Sequence, residues 1–185
     1  IGVDKGFDYT RSSNPTRQDL EEHLAALEGG KYGIAFSSGM ASADSCMKLL
    51  RQGDHVVCCD DVYGGTARLF NNLMTNYGVE FTYVDSQVAE NVQKAIRPET
   101  KMVWVETPTN PLLKVTDLEA VGKIARSNDL LYVVDTTFAT PVFLRPLEYG
   151  ADLVLHSTTK YLSGHNQIIG GAIITDRDDL YDQLK

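Results

Sequence analysis

At 185 residues with 43% hydrophobic content, the chain is long enough to bury a sizeable core and has the size of one large domain. Its net charge of -8 excludes the basic face that a nucleic-acid or acidic-membrane partner requires. The 3 cysteines, Cys46, Cys58 and Cys59, read as reduced core thiols, not a disulfide framework or a metal site; with no signal sequence and no run of about 18 apolar residues, a cytoplasmic location is expected.

In chain order, the stretch Gly6-Phe7-Asp8-Tyr9-Thr10-Arg11-Ser12-Ser13-Asn14 has no core periodicity, yet it carries aromatic rings and an arginine. Such a segment is either a loose arm or a docking piece for a partner subunit. Pro15-Thr16 then starts a helix in which Leu20, His23, Leu24 and Leu27 share a face, and Gly29-Gly30 stops it. Beyond it, apolar runs of strand length at 33–36, 55–59, 80–84, 102–106, 130–134, 153–155 and 172–175 alternate with helical periods at 40–50, 66–77, 88–96, 117–127 and 178–185. That alternation predicts an α/β domain with a mainly parallel seven-stranded sheet covered by helices on both faces.

In an open parallel sheet, ligands collect beyond the carboxyl ends of the strands. Chemistry-bearing residues stand at those points. The first run leads to Ser37-Ser38-Gly39-Met40, the second to Asp60-Asp61-Val62-Tyr63-Gly64-Gly65 and the fourth to Thr107-Pro108-Thr109-Asn110-Pro111. The fifth ends at Asp135, and the sixth leads to His156-Ser157-Thr158-Thr159-Lys160.

Each residue has a plain reading beside a chemical one. Ser38-Gly39-Met40 is a turn and cap, or a backbone cradle for a phosphate at a helix start. Ser157 and Thr159, two apart, are loop hydroxyls or phosphate donors. Tyr63 packs over a turn or stacks on a ligand ring, and Asn110 is a turn residue or a donor to a phenolate or substrate carboxylate. Asp135 caps a helix or meets a cationic ring nitrogen; Lys160 is a surface lysine or an amine that condenses with an aldehyde. His156 and His165 have no third ligand at metal spacing. Together these residues fill every role that pyridoxal phosphate demands.

The same stretches resemble the Cys/Met-metabolism group of pyridoxal-phosphate enzymes over essentially the whole chain. The resemblance is carried by Tyr-Thr-Arg-Ser-Ser-Asn-Pro-Thr-Arg (9–17), Ala-Phe-Ser-Ser-Gly-Met-Ala (35–41) and Asp-Asp-Val-Tyr-Gly-Gly-Thr (60–66). It continues in Glu-Thr-Pro-Thr-Asn-Pro (106–111), Val-Val-Asp-Thr-Thr-Phe (133–138) and His-Ser-Thr-Thr-Lys-Tyr-Leu-Ser-Gly-His (156–165). It implies a type I aminotransferase-like fold, with an arm at 1–15, a large cofactor-binding domain at 16–185 and a small C-terminal domain outside the sequence. Lys160 is then the Schiff-base lysine, Asp135 the partner of the pyridine nitrogen and Tyr63 the stacking ring. Gly39, Met40, Ser157 and Thr159 hold the phosphate, joined by Tyr9 and Arg11 from a neighbouring subunit in a homo-oligomer, commonly a dimer of dimers. Asn110 lies near the phenolic oxygen and substrate carboxylate, and Arg68 at the substrate entrance.

The implied activity is trans-sulfuration in methionine or cysteine biosynthesis: elimination or replacement at the γ-carbon of cystathionine or an O-acylhomoserine. Cystathionine β-lyase and O-acetylhomoserine sulfhydrylase remain close alternatives. Methionine γ-lyase ranks lower, because Gly65 stands where those enzymes tend to carry cysteine; separately, Asn166-Gln167 depart from the serine and aspartate often found in the family after the histidine matching His165, which leaves the subclass open. An aminotransferase or decarboxylase of the same fold is disfavoured by the Tyr63 and Asn110 motifs. A binding module without chemistry is disfavoured by the intact lysine, aspartate and tyrosine.

Overall fold

The computed structural model describes residues 6, 7 and 9–185. A single sheet of seven strands runs in the order β1-β7-β6-β5-β4-β2-β3. The strands are β1 (Tyr32–Phe36), β2 (His55–Cys59), β3 (Glu80–Val84), β4 (Thr100–Glu106), β5 (Leu131–Asp135), β6 (Leu153–His156) and β7 (Gly171–Thr175). Only β7 runs against the rest, pairing antiparallel with both β1 and β6. The carboxyl ends of the other strands therefore share one edge, to which β7 brings its amino end. The expected mainly parallel sheet is found, with a strand start or end moved by a residue or two in places. One such shift matters: Asp135 belongs to β5 and pairs with Glu106 of β4 and Leu155 of β6.

Helices α1 (Pro15–Glu28), α2 (Gly39–Met47), α3 (Gly64–Arg68), α4 (Ala89–Ala95), α5 (Leu118–Ser127), α6 (Thr140–Phe143) and α7 (Asp178–Leu184) fill the connections. Two apolar clusters divide between the faces of the sheet. One joins Met47, Phe70, Met102, Trp104, Val133 and Leu155; the other joins Leu24, Val105, Val121, Val134, Val154 and Ile174. The alternation of Val133 with Val134 and of Val154 with Leu155 between them follows from the two-residue period of a strand. Cys46, Cys58 and Cys59 are buried free thiols.

Two expectations for the helices need correction. In α1 the shared face is not the leucine face: Leu20 and Leu27 are 48% and 50% exposed, and the helix buries Leu24, Ala25 and Glu28. Glu28 goes inside because its carboxylate bonds Nε2 of the equally buried His156 on β6. Asn14, not Thr16, caps this helix, accepting from the amides of Thr16 and Arg17, while Pro15 fills the first helical position. The helix expected over 66–77 is three segments: α3, a π-helical turn at Leu69–Leu73 and a 3-10 turn at Met74–Tyr77.

Candidate active site

A cavity of about 250 Å³ opens at the carboxyl edge of the sheet. Its lining includes Gly39, Met40, Tyr63, Asn110, Asp135, Ser157, Thr159 and Lys160, so those expected site residues converge in one place. Arg68 is not among the lining residues; its guanidinium lies over the Gly64 turn outside. Tyr9 and Arg11 do not reach this cavity either. Arg11 packs on the Tyr9 ring at 4.7 Å and borders a separate depression beside Tyr32 at the β1 edge.

One end of the cavity is built for an anion. The Ser38 hydroxyl accepts from the Ala41 amide at 3.0 Å and so caps α2. The Gly39 and Met40 amides make no hydrogen bond among the described residues, and a helix start directs such amides toward negative charge. Only glycine fits at position 39: a Cβ there would stand 2.6 Å from Ser157 Cβ and 2.9 Å from its Cα. Ser157 is thereby held against the helix start with its hydroxyl uncommitted. Thr159 departs from its expected role as a free donor, because its hydroxyl donates to the Gly170 carbonyl and accepts from the Gly170 amide, both at 3.1 Å. It braces the segment that carries Lys160.

The other end is acidic. Asp135 is buried, and Oδ1 takes both the Thr137 amide at 3.0 Å and the Thr137 hydroxyl at 2.6 Å, leaving Oδ2 without a donor among the described residues. Burial raises its pKa; the Thr137 bonds and the neighbouring His156 pull the other way. Thr137 also accepts the Ser157 amide at 2.9 Å, which ties the acidic end to the anion end. Neither Thr137 nor Glu106 stood out in the sequence as a site residue. Glu106 lines the cavity beside Asp135, takes the Tyr63 amide at 2.8 Å and has its pKa pushed up to about 8, by burial first and then by Asp135. Its place as the charged last residue of an apolar strand was the available signal.

Between these ends lie Lys160 and Tyr63. The Lys160 amine makes no hydrogen bond or ion pair among the described residues, and its backbone, at φ -89° and ψ -123°, leaves regular structure directly after the β6 loop. Tyr63 is 44% exposed, and its ring lies over Gly65, where a Cβ would come within 2.4 Å of it. Among the described residues, no group of His, Cys, Asp and Glu could hold a metal ion and no helix is long and apolar enough to cross a membrane.

These residues fit pyridoxal phosphate. Free helix-start amides and a close-packed glycine suit its phosphate, an unpaired carboxylate oxygen suits its ring nitrogen, and a free amine suits its aldehyde. Comparison with known proteins points the same way. The chain is 49% identical over 185 residues to the "Probable cystathionine gamma-synthase" of Herpetosiphon aurantiacus, covering 100% of this chain and 58% of that protein. To the "Cystathionine beta-lyase" of Coxiella burnetii it is 50% identical over 186 residues, covering 100% and 48%. The crystal structure of cystathionine gamma-lyase from Lactobacillus plantarum, complexed with L-serine, superposes with a TM-score of 0.96 at 43% identity, covering 100% of this chain and 48% of that one. The chain thus spans about half the length of the relatives it matches. A family model described as "Cys/Met metabolism PLP-dependent enzyme" matches residues 1–185, and the chain belongs to that family.

Proposed function

We propose that the protein of which this chain forms the cofactor-binding part catalyses trans-sulfuration with pyridoxal phosphate, acting at the γ-carbon of cystathionine or an O-acylhomoserine. The observation that carries this reading is the convergence of Lys160, Asp135, Tyr63 and the free Gly39 and Met40 amides on one cavity. When bound, the cofactor supplies an electron sink for a carbanion beside the substrate's amino group. Asp135 Oδ2 holds a proton at the ring nitrogen and so keeps that sink electron-poor. Lys160 Nζ, the free amine that would hold the cofactor's aldehyde, would serve as the base for the substrate α-proton. Tyr63 would hold the ring face, and its hydroxyl or Lys160 Nζ would move the proton that γ-chemistry requires.

The Gly39 and Met40 amides and the Ser157 hydroxyl orient the phosphate, with Thr159 fixing the loop beneath it. Asn110 directs the phenolic oxygen and the substrate carboxylate, and Arg68 stands at the entrance. Tyr9 and Arg11, which lie away from this chain's own cavity, complete the phosphate site of a neighbouring subunit in a homo-oligomer. Free buried thiols suit the reducing cytoplasm. β-Elimination is the second reading, favoured by the equal likeness to a protein named cystathionine beta-lyase.

The test is incubation of the full-length protein with pyridoxal phosphate and cystathionine. Release of 2-oxobutanoate supports γ-elimination, whereas pyruvate overturns it in favour of β-elimination. Lys160→Ala should abolish borohydride-trapped attachment of the cofactor; trapping that survives at the same yield sinks the assignment.

A further inference from the structure

Glu106 closes β4, a strand otherwise buried through apolar side chains such as Met102, Trp104 and Val105. A residue needed there only to fill space would be apolar, as Trp104 is two places earlier. The Glu106 carboxylate instead lines the cavity and reaches the backbone of the loop after β2. Its Oε2 accepts the Tyr63 amide at 2.8 Å, and Asn110 lines the same cavity from the loop that follows Glu106. Tyr63 precedes α3 as its N-cap and makes no side-chain cap bond, so this contact anchors the turn that leads into that helix. The groups facing Glu106 are Asp135 from β5, Asp61 from the loop after β2 and Lys160 across the cavity.

We propose that Glu106 is the positioning residue for the ring of the cofactor: one buried carboxylate holds the Tyr63 backbone and so ties the Tyr63 turn to the strand end that leads into the Asn110 loop. This rests on the cofactor reading above. Glu106 touches neither ring nor substrate; it acts through the residues that do. Loss of the carboxylate lets the Tyr63 turn and the 107–111 loop drift apart, loosening the ring without disturbing the phosphate end, which is built by α2 and the loop after β6.

The experiment compares wild type, Glu106→Gln and Glu106→Ala in the full-length protein. Its readouts are the pyridoxal phosphate dissociation constant by equilibrium dialysis, the visible circular dichroism of the bound cofactor and the thermal midpoint without cofactor. Glu106→Ala should weaken binding by about tenfold to a hundredfold, the range expected on losing hydrogen bonds to a charged group. Glu106→Gln, which keeps one acceptor, should weaken it by less than about tenfold, flatten the dichroism and not lower the cofactor-free midpoint. Wild-type affinity and dichroism in Glu106→Gln and in whichever alanine variant folds would overturn the proposal. So would a loss of affinity matched by an equal loss of cofactor-free stability, which marks a structural role alone. Wild-type protein that takes up no cofactor at all would overturn the cofactor reading first, and this inference with it.

Discussion

The carboxyls buried at the carboxyl edge of the sheet and the carboxylates exposed at its opposite edge are held in different ways. At the carboxyl edge, Asp61, Glu106 and Asp135 are buried and satisfied by neutral donors: Thr109 hydroxyl and Leu112 amide, Tyr63 amide, and Thr137 amide and hydroxyl respectively. At the opposite edge, Glu80 pairs with Arg97, and Asp152 and Asp179 pair with Arg177, all near solvent. Neutral donors hold these carboxyls in place without a cationic partner, so burial raises Glu106 and Asp135 toward their protonated forms and a cation entering the cavity would favour their ionised ones. The other edge is already neutralised, and water screens what remains.

The largest effect should follow from the group with the most unspent charge. Asp135→Ala removes a cavity-lining carboxyl whose Oδ2 lacks a donor among the described residues, and turnover should fall by about a hundredfold to a thousandfold, as for other preorganised electrostatic partners. The cofactor-free protein should lose little stability to urea, because a buried carboxylate without a cation is itself unfavourable. A variant that keeps wild-type turnover would break the comparison. Gly39→Ala comes next. Its new Cβ would press on Ser157 at 2.6 Å, costing about 1–3 kcal/mol in urea unfolding and weakening cofactor binding.

Much of this site was legible in the sequence because the strand-end rule needs only the apolar runs, and Lys160, Asp135, Tyr63 and Gly39 all follow such runs. What escaped were residues whose meaning depends on a partner distant in the chain. Glu28 looks like one more charged residue of a polar helix, and only its contact with His156, 128 positions away, explains why it is buried. The leucine periodicity of α1 misled for the same reason: the face turned inward was chosen by β1 and β7, and it left Leu20 and Leu27 outside. Thr137 and Glu106 belong to the same class, and β7 carries no sequence mark of its reversed direction.

A smaller effect should come from pH. Glu106 is shifted from 4.5 to about 8, so between those values the folded chain holds a proton that the unfolded chain has released. Stability is therefore greatest below the lower value and declines as pH rises through the upper one. Asp135 is shifted in the same direction. Glu106→Gln should flatten the decline in cofactor-free protein followed by urea midpoints across that window. An unchanged slope would mean that the carboxyl ionises normally and that the two edges of the sheet do not differ in this respect.

The smallest effects belong to the exposed edge. Arg177 reaches Asp179 at 3.0 and 2.6 Å and Asp152 at 3.2 Å, but Asp152 also accepts the Tyr132 amide at 2.8 Å and keeps that partner if the arginine is lost. Arg97 is likewise shared between Glu80 and Glu99, both open to water. Arg177→Ala and Arg97→Ala should each cost under about 1 kcal/mol in urea unfolding, and less at high salt. Neither should alter cofactor affinity, since the strands lie between them and the cavity. A larger loss that persists at high salt would mean that this edge, too, depends on charge held out of water, and the contrast between the two ends would be one of degree.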